Sequence, residues 1–353
     1  MAEAAAHEVA QAYGDTGTPS VQDYRRLLDM ASVEAVFIAA PEHWHAKMSI
    51  DALRAGRDVF CEKALALTVE EGRAICRTVE ATGRVFQAGT QQRSDANFRF
   101  ACELALNGHL GRLQRVCVGV PGGRALGVLS PAPVPPTLEY DLWLGPAPFR
   151  PYREGLCRFN WYFISDYCAG WIQSWGVHHM DIALWGAPAL ASGRVHVAGW
   201  AVFPDEGDAD TSISWNVTFR KDDASELLFC SDNLAPHDHG VRFEGDRGWV
   251  HVIRGGIRAD PPDLLRTRLR PADVRLRVSK DHQTNFLECV RRHRPAAVTA
   301  PAEACQRATA ATLVADIATR LRRPLTWDWD AERFVEPDAN RLLGRAPRSP
   351  WHL

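Results

Sequence analysis

The chain has 353 residues, 46% hydrophobic and 24% charged, with 41 basic and 43 acidic side chains and a formal charge of −2. That length suits two domains of ordinary size, and the charge balance lacks the basic surplus that a nucleic-acid partner needs. No apolar run approaches the roughly 20 residues of a membrane helix, so no membrane partner is expected; nine scattered cysteines without a C-x-x-C pair read as reduced thiols of a cytoplasmic protein.

The opening stretch, MAEAAAHEVAQAYG, is an alanine-rich helical pattern that stops at Gly14, not a secretory signal. Residues 21–30 carry apolar positions at helical spacing. Residues 33–41, VEAVFIAAP, form the continuous apolar run of a buried parallel strand. A helix over 45–56 stops at Gly56, and a strand follows over 57–63. A helix over 68–83 opens on Thr68 with Glu71 three residues on, a capping box, and a strand over 84–89 follows it. The order β-α-β-α-β predicts a parallel, doubly wound, Rossmann-like sheet.

The texture then changes. A helix over 97–111 and a strand over 113–123 lead into a proline-rich connection over 130–153. Stretches at 192–203, 210–221, 225–232, 239–253 and 257–260 read as successive strands separated by glycine or aspartate turns, the pattern of an antiparallel sheet. Helices over 281–294 and 301–323 close the unit. The expected fold class is therefore α/β: a parallel-sheet domain over 1–94, an α+β domain with a large, mainly antiparallel sheet over 95–330, and a tail over 331–353.

Four stretches carry candidate chemistry. AAPEHWHA (39–46) follows a strand and opens a helix, the edge where doubly wound sheets bind ligands. His43 and His45 have no third ligand nearby, so no metal is expected. CEK puts Glu62 and Lys63 at the end of the next strand, where a lysine favours negative charge on a substrate oxygen. GTQQR (89–93) ends a third strand with amides able to bind a carboxamide or sugar hydroxyls. In SWGVHHMD (174–181) adjacent histidines on a helix point about 100° apart and do not share a metal. Ser174, His178 and Asp181 lie three and four residues apart, on one face, which makes His178 the candidate acid–base residue. Several of the twelve tryptophans cluster between positions 143 and 215, hinting at a surface of flat rings.

Taken jointly, AAPEHWHA, CEKALALTVEEG, VFQAGTQQRS, ELALNGHLG, GWIQSWGVHHMDIALWG and the ending EPDANRLLGRAPRSPW resemble the glucose–fructose oxidoreductase, inositol dehydrogenase and MocA family. The resemblance implies hydride transfer between NAD or NADP and a sugar or polyol hydroxyl, with Lys63 and His178 as catalytic residues. It implies a cofactor cleft lined by Pro41, His45, Glu62, Lys63 and Gln91, and self-association through the C-terminal sheet. Trp44, Trp161, Trp175, His179 and Asp181 are expected on the substrate side.

Three features depart from the family pattern. No G-x-G-x-x-G loop opens the first helix, so the chain starts one element late, with roughly 30 or more residues expected upstream in a complete enzyme. Such an upstream segment is where an export signal would lie. The family's E-K-P reads Glu62-Lys63-Ala64, and a common aspartate is Ser174. Two other readings therefore stand beside the first: a glycosidase or lyase of the same fold using transient NAD redox, and a non-catalytic paralogue or fragment.

Overall fold

The computed structural model describes residues 2–14 and 19–353. In chain order its elements begin α1 (Ala2–Tyr13), α2 (Arg25–Leu28), β1 (Ala35–Ile38), α3 (Glu42–Arg54), β2 (Asp58–Cys61), α4 (Val69–Thr82) and β3 (Phe86–Ala88). β1 and β2 pair in parallel, as do β2 and β3, in the order β1-β2-β3. The predicted parallel sheet is thus present. Residues 21–30 yield only the single turn α2. Thr68 caps α4 by accepting from the Glu71 amide at 3.2 Å, but the Glu71 carboxylate reaches back one residue further than a capping box requires, to the Leu67 amide. Among the described residues β1 pairs only with β2, and Phe37 on it is half exposed.

The rest of the chain adds α5 (Ala96–Leu106), β4 (Leu113–Val120), α6 (Tyr140–Leu144), α7 (Trp171–Ser174), α8 (Gly176–Gly186), β5 (Arg194–Val202), β6 (Ser214–Arg220) and β7 (Glu226–Ser231). β8 (Gly240–Gly245), β9 (Gly248–Ile253), β10 (Gly256–Asp260), α9 (His282–Arg291), α10 (Ala302–Leu321), β11 (Leu325–Asp328) and β12 (Arg333–Phe334) follow. The single strand expected over 239–253 is a hairpin, because Asp246 and Arg247 turn the chain between β8 and β9. Nine strands form one sheet in the order β10-β9-β8-β4-β7-β6-β5-β11-β12. It is antiparallel except where β4 runs parallel to β7.

Alternation decides which face is buried. Val195, Val197, Trp215, Val217, Phe229 and Phe243 point inward and are buried, while Arg194, His196, Ala198 and Trp200 on β5 face outward and are exposed. The inner face packs on α5, α8 and α10, and each buried phenylalanine there contributes roughly 1.5–3 kcal/mol. α10 also joins the two sheets. It packs on α4 and β3 as well as on α8 and β5, and its Thr309 hydroxyl accepts from the Leu65 amide at 3.2 Å. All nine cysteines are free, and no described helix is long and apolar enough to cross a membrane.

The segment expected to be a tail is part of the fold. β12 pairs with β11, and the chain then returns to the small sheet. Arg345 donates to the Glu71 carboxylate and to the Asp166 and His43 carbonyls, and Arg348 binds Asp141 and the Gly145 carbonyl. Trp351 ends this return with its ring edge-on to Trp44 at 4.9 Å.

α8 lies close to the sheet because Gly186 has no side chain. A Cβ there would stand 2.5 Å from the Phe243 ring and 3.1 Å from the Cys102 backbone. Gly186→Val is expected to destabilise the protein by about 1–3 kcal/mol. A fall in the urea midpoint with an unchanged slope is the check.

Candidate active site

The carboxyl ends of β1, β2 and β3 lie side by side, and the residues that follow them crown one edge: Pro41 after β1, Glu62 and Lys63 after β2, and Gln91–Ser94 in a single 3₁₀ turn after β3. α7 and α8 approach this edge from the large-sheet side. Between them the helix breaks: the His178 amide donates to the Trp175 carbonyl at 3.1 Å rather than to Ser174. The Ser174 carbonyl is thereby released to Lys63, whose Nζ donates to it at 3.0 Å and to the Ser174 hydroxyl at 2.9 Å.

The 3₁₀ turn holds the next stretch of α8. Arg93 makes a two-pronged ion pair with Asp181, at 2.7 and 2.8 Å, with both side chains buried and the guanidinium over the Trp185 ring. Gln92 accepts from Arg254 Nε at 3.2 Å, which turns its amide nitrogen toward the His178 carbonyl at 3.1 Å and His179 Nδ1 at 3.0 Å. That network assigns the His179 proton to Nε2, which donates to His239 Nε2 at 3.1 Å.

Lys63 is thus bonded to Ser174, four residues before His178, at the junction of the two sheets. His178 lies well below its ordinary pKa, first because burial disfavours the charged ring and then because Lys63 and Arg254 repel it, so it is a neutral imidazole near neutral pH. Its Nδ1 is buried without a partner. Glu62 lies beside Lys63 and accepts from Gln91 Nε2 at 3.0 Å. Gly89 makes room for that carboxylate, since a Cβ there would come within 2.8 Å of it.

Several expected residues have other work. His45 is buried, and its ring nitrogens face the Ala64 carbonyl at 2.6 Å and the Ala40 carbonyl at 2.9 Å, so neither is free for a cofactor. Two carbonyl acceptors require two N–H donors. Burial opposes that charge, but Cys61, Ala64 and Glu42 outweigh it and hold the pKa up at about 9. Trp44 is buried between Tyr24 and Trp351, with its indole N–H on the Trp143 carbonyl, so it offers no ring face to a substrate. His179 and Asp181 are buried and engaged, so their place is beneath the site, not on its substrate side. Trp161 is half-buried and stacked on Tyr162 at 3.9 Å. Trp175 is also half-buried, but one face lies under Arg254 at 4.9 Å.

Arg254 and His239 were not singled out as site residues in the sequence. Arg254 and His239 come from turns of the large sheet more than 50 residues after SWGVHHMD, where no local pattern marks them. A Cys117–His237–Glu244 cluster is compact enough to suit a metal, but the Arg242 guanidinium lies 2.7 Å from His237 and 2.9 Å from Glu244 and competes with a cation there.

A small parallel sheet joined to a large, mainly antiparallel one is the two-part architecture of a family of oxidoreductases. The protein belongs to the oxidoreductase family of that architecture: residues 2–90 match its NAD-binding Rossmann fold and residues 123–353 its C-terminal alpha/beta domain. The uncharacterized oxidoreductase YrbE of Bacillus subtilis is 30% identical over 242 residues, 67% of this chain and 58% of that protein. The scyllo-inositol 2-dehydrogenase (NAD(+)) of the same organism is 32% identical over 272 residues, 76% of this chain and 67% of its own length. The aldose-aldose oxidoreductase of Caulobacter crescentus, solved with glycerol, shares the fold at a TM-score of 0.64 and 19% identity, covering 90% of this chain and 87% of that one.

Two measurements check this geometry. Asp181→Ala strands the buried Arg93 charge and is expected to cost about 3–5 kcal/mol in urea denaturation, whereas replacing both partners with apolar residues costs far less. Buried neutral histidines also set the acid limit. Burial pushes His43 down to about 3, and His179 well below its ordinary value. An unfolded chain takes up these protons below about 6.5 and the folded one does not, so this contribution is complete above that pH and lost as pH falls toward 3. The His45 contribution has the opposite sign: it is complete below about 6.5 and lost as pH rises through about 9. The urea midpoint is expected to fall from pH 7 to pH 5, with a shallower fall in His43→Gln.

Proposed function

We propose that the chain supplies the nicotinamide end and the substrate half of an NAD(P)-dependent oxidoreductase that acts on a sugar or polyol hydroxyl. The anchoring of Lys63 on Ser174, four residues before the buried His178, carries this reading. The small sheet and its crown form the cofactor part and the nine-stranded sheet the substrate part, with the boundary near residue 94. The relatives that act on inositol and aldoses support a polyhydroxylated substrate.

Pro41, Glu62, Lys63 and Gln91 stand along the carboxyl edge of the sheet, where a nicotinamide would be held, and Gly89 leaves room there for the Glu62 carboxylate. When bound, the nicotinamide accepts or returns a hydride. His178 takes the proton of the substrate hydroxyl at Nε2, since Nδ1 is enclosed. The Lys63 ammonium, steered by Ser174, donates to the same oxygen and stabilises the negative charge that develops there. Trp161 lines the substrate side. The open face of the large sheet, where Trp200 and Val202 are half exposed, suits self-association.

The test incubates the full chain with NAD or NADP and a panel of polyols, aldoses and aryl glycosides, following reduced nicotinamide and aglycone separately. Net reduction with a polyol or aldose is expected. His178→Asn and Lys63→Met are each expected to lower kcat about 10²–10⁴-fold with the fold intact by circular dichroism. Aglycone release without net reduction would replace this reading with the glycosidase one, and neither product with a folded chain would leave a non-catalytic relative.

A further inference from the structure

We propose that Arg254 anchors a carboxylate on the substrate, so that the chain selects an acidic sugar, a uronate or an aldonate, over its neutral counterpart. The proposal rests on the reading of Lys63 and His178 as the reacting pair. Arg254 lies in the turn between β9 and β10 and is held at two points. Its Nε donates to Gln92 Oε1 at 3.2 Å and its guanidinium lies over the Trp175 ring at 4.9 Å. The Trp175 ring is in turn edge-on to His178 at 5.8 Å. The guanidinium is therefore fixed in plane beside the proposed proton acceptor.

Among the described residues no carboxylate forms an ion pair with Arg254, and its two terminal nitrogens have no acceptor. Lys63 also has no carboxylate partner; it is bonded to Ser174 alone. The acidic groups around them are engaged or serve other groups. Glu62 accepts from Gln91, and Asp181 accepts from Arg93. Two like charges thus border His178 without compensation, and both press its pKa down. An arriving anion relieves that repulsion. A single planar fork with two free terminal nitrogens matches the two oxygens of a carboxylate, whereas a phosphate dianion calls for further donors.

The experiment is isothermal titration of the full chain and of Arg254→Gln with glucose, glucuronate, gluconate and glucose 6-phosphate, without cofactor. At least one of the two acids is expected to bind the native chain about ten- to a hundredfold more tightly than glucose. Arg254→Gln is expected to abolish that advantage and leave glucose unchanged, and Arg254→Lys to keep only part of it. Equal binding of acids and glucose, binding of neither acid, or an advantage that survives in Arg254→Gln overturns the proposal. So does tighter binding of the phosphate than of the acids. A matching loss of NAD affinity in Arg254→Gln reassigns the arginine to cofactor phosphates and overturns it too. Discriminating binding without hydride transfer would refute the oxidoreductase reading and leave the anchor standing. Turnover of polyols with no preference for acids would do the reverse.

Discussion

The contact between Lys63 and Ser174 joins the two halves of this protein at the point where chemistry is proposed. It exists because the helix breaks between α7 and α8. An unbroken helix would commit the Ser174 carbonyl to its own ladder, and Lys63 would lose one of two acceptors. The break also turns His178 toward the carboxyl edge of the small sheet. Gln92 and Arg93 then hold α8 from the other side, through the His178 carbonyl and the Asp181 carboxylate. The lysine, the histidine and their supports are thus positioned by one junction, not by either sheet alone.

That junction is electrostatically unusual in its choice of neutral partners. Ser174 accepts from Lys63, and among the described residues no carboxylate hydrogen-bonds to His178. Asp181, the buried carboxylate on α8, is consumed by Arg93. Positive charge is therefore concentrated beside His178 while its ring stays neutral. A site of this kind gains most from a substrate that brings negative charge, either developed at the reacting oxygen or carried as a fixed group.

Much of the fold was legible before any coordinates. The alternation of apolar runs with capped helices specified the parallel sheet, and period-two strands specified the large one. Lys63 and His178 stood out because strand ends and a helical spacing give local signals. The mistaken roles share one cause. Trp44, His45, His179 and Asp181 sit in motifs beside the reacting pair, yet burial turns each one inward onto a partner from a distant segment. Residues 331–353 read as a tail because their anchors, Glu71, Asp141 and the His43 carbonyl, lie far away in the chain.

The sequence by itself determined the two sheets, the strand-end position of Lys63 and the helical face of His178, since these depend on periodicity, capping and spacing within a few residues. Only the tertiary structure decided which polar groups are spent and which are free. It paired Arg93 with Asp181, enclosed His45 between two carbonyls, and brought Arg254 across from a hairpin turn to lie over Trp175. Hydrogen bonds and ring contacts act over a few ångströms of space whatever the separation along the chain. The inventory of free charge at a site is therefore settled only once distant segments have packed.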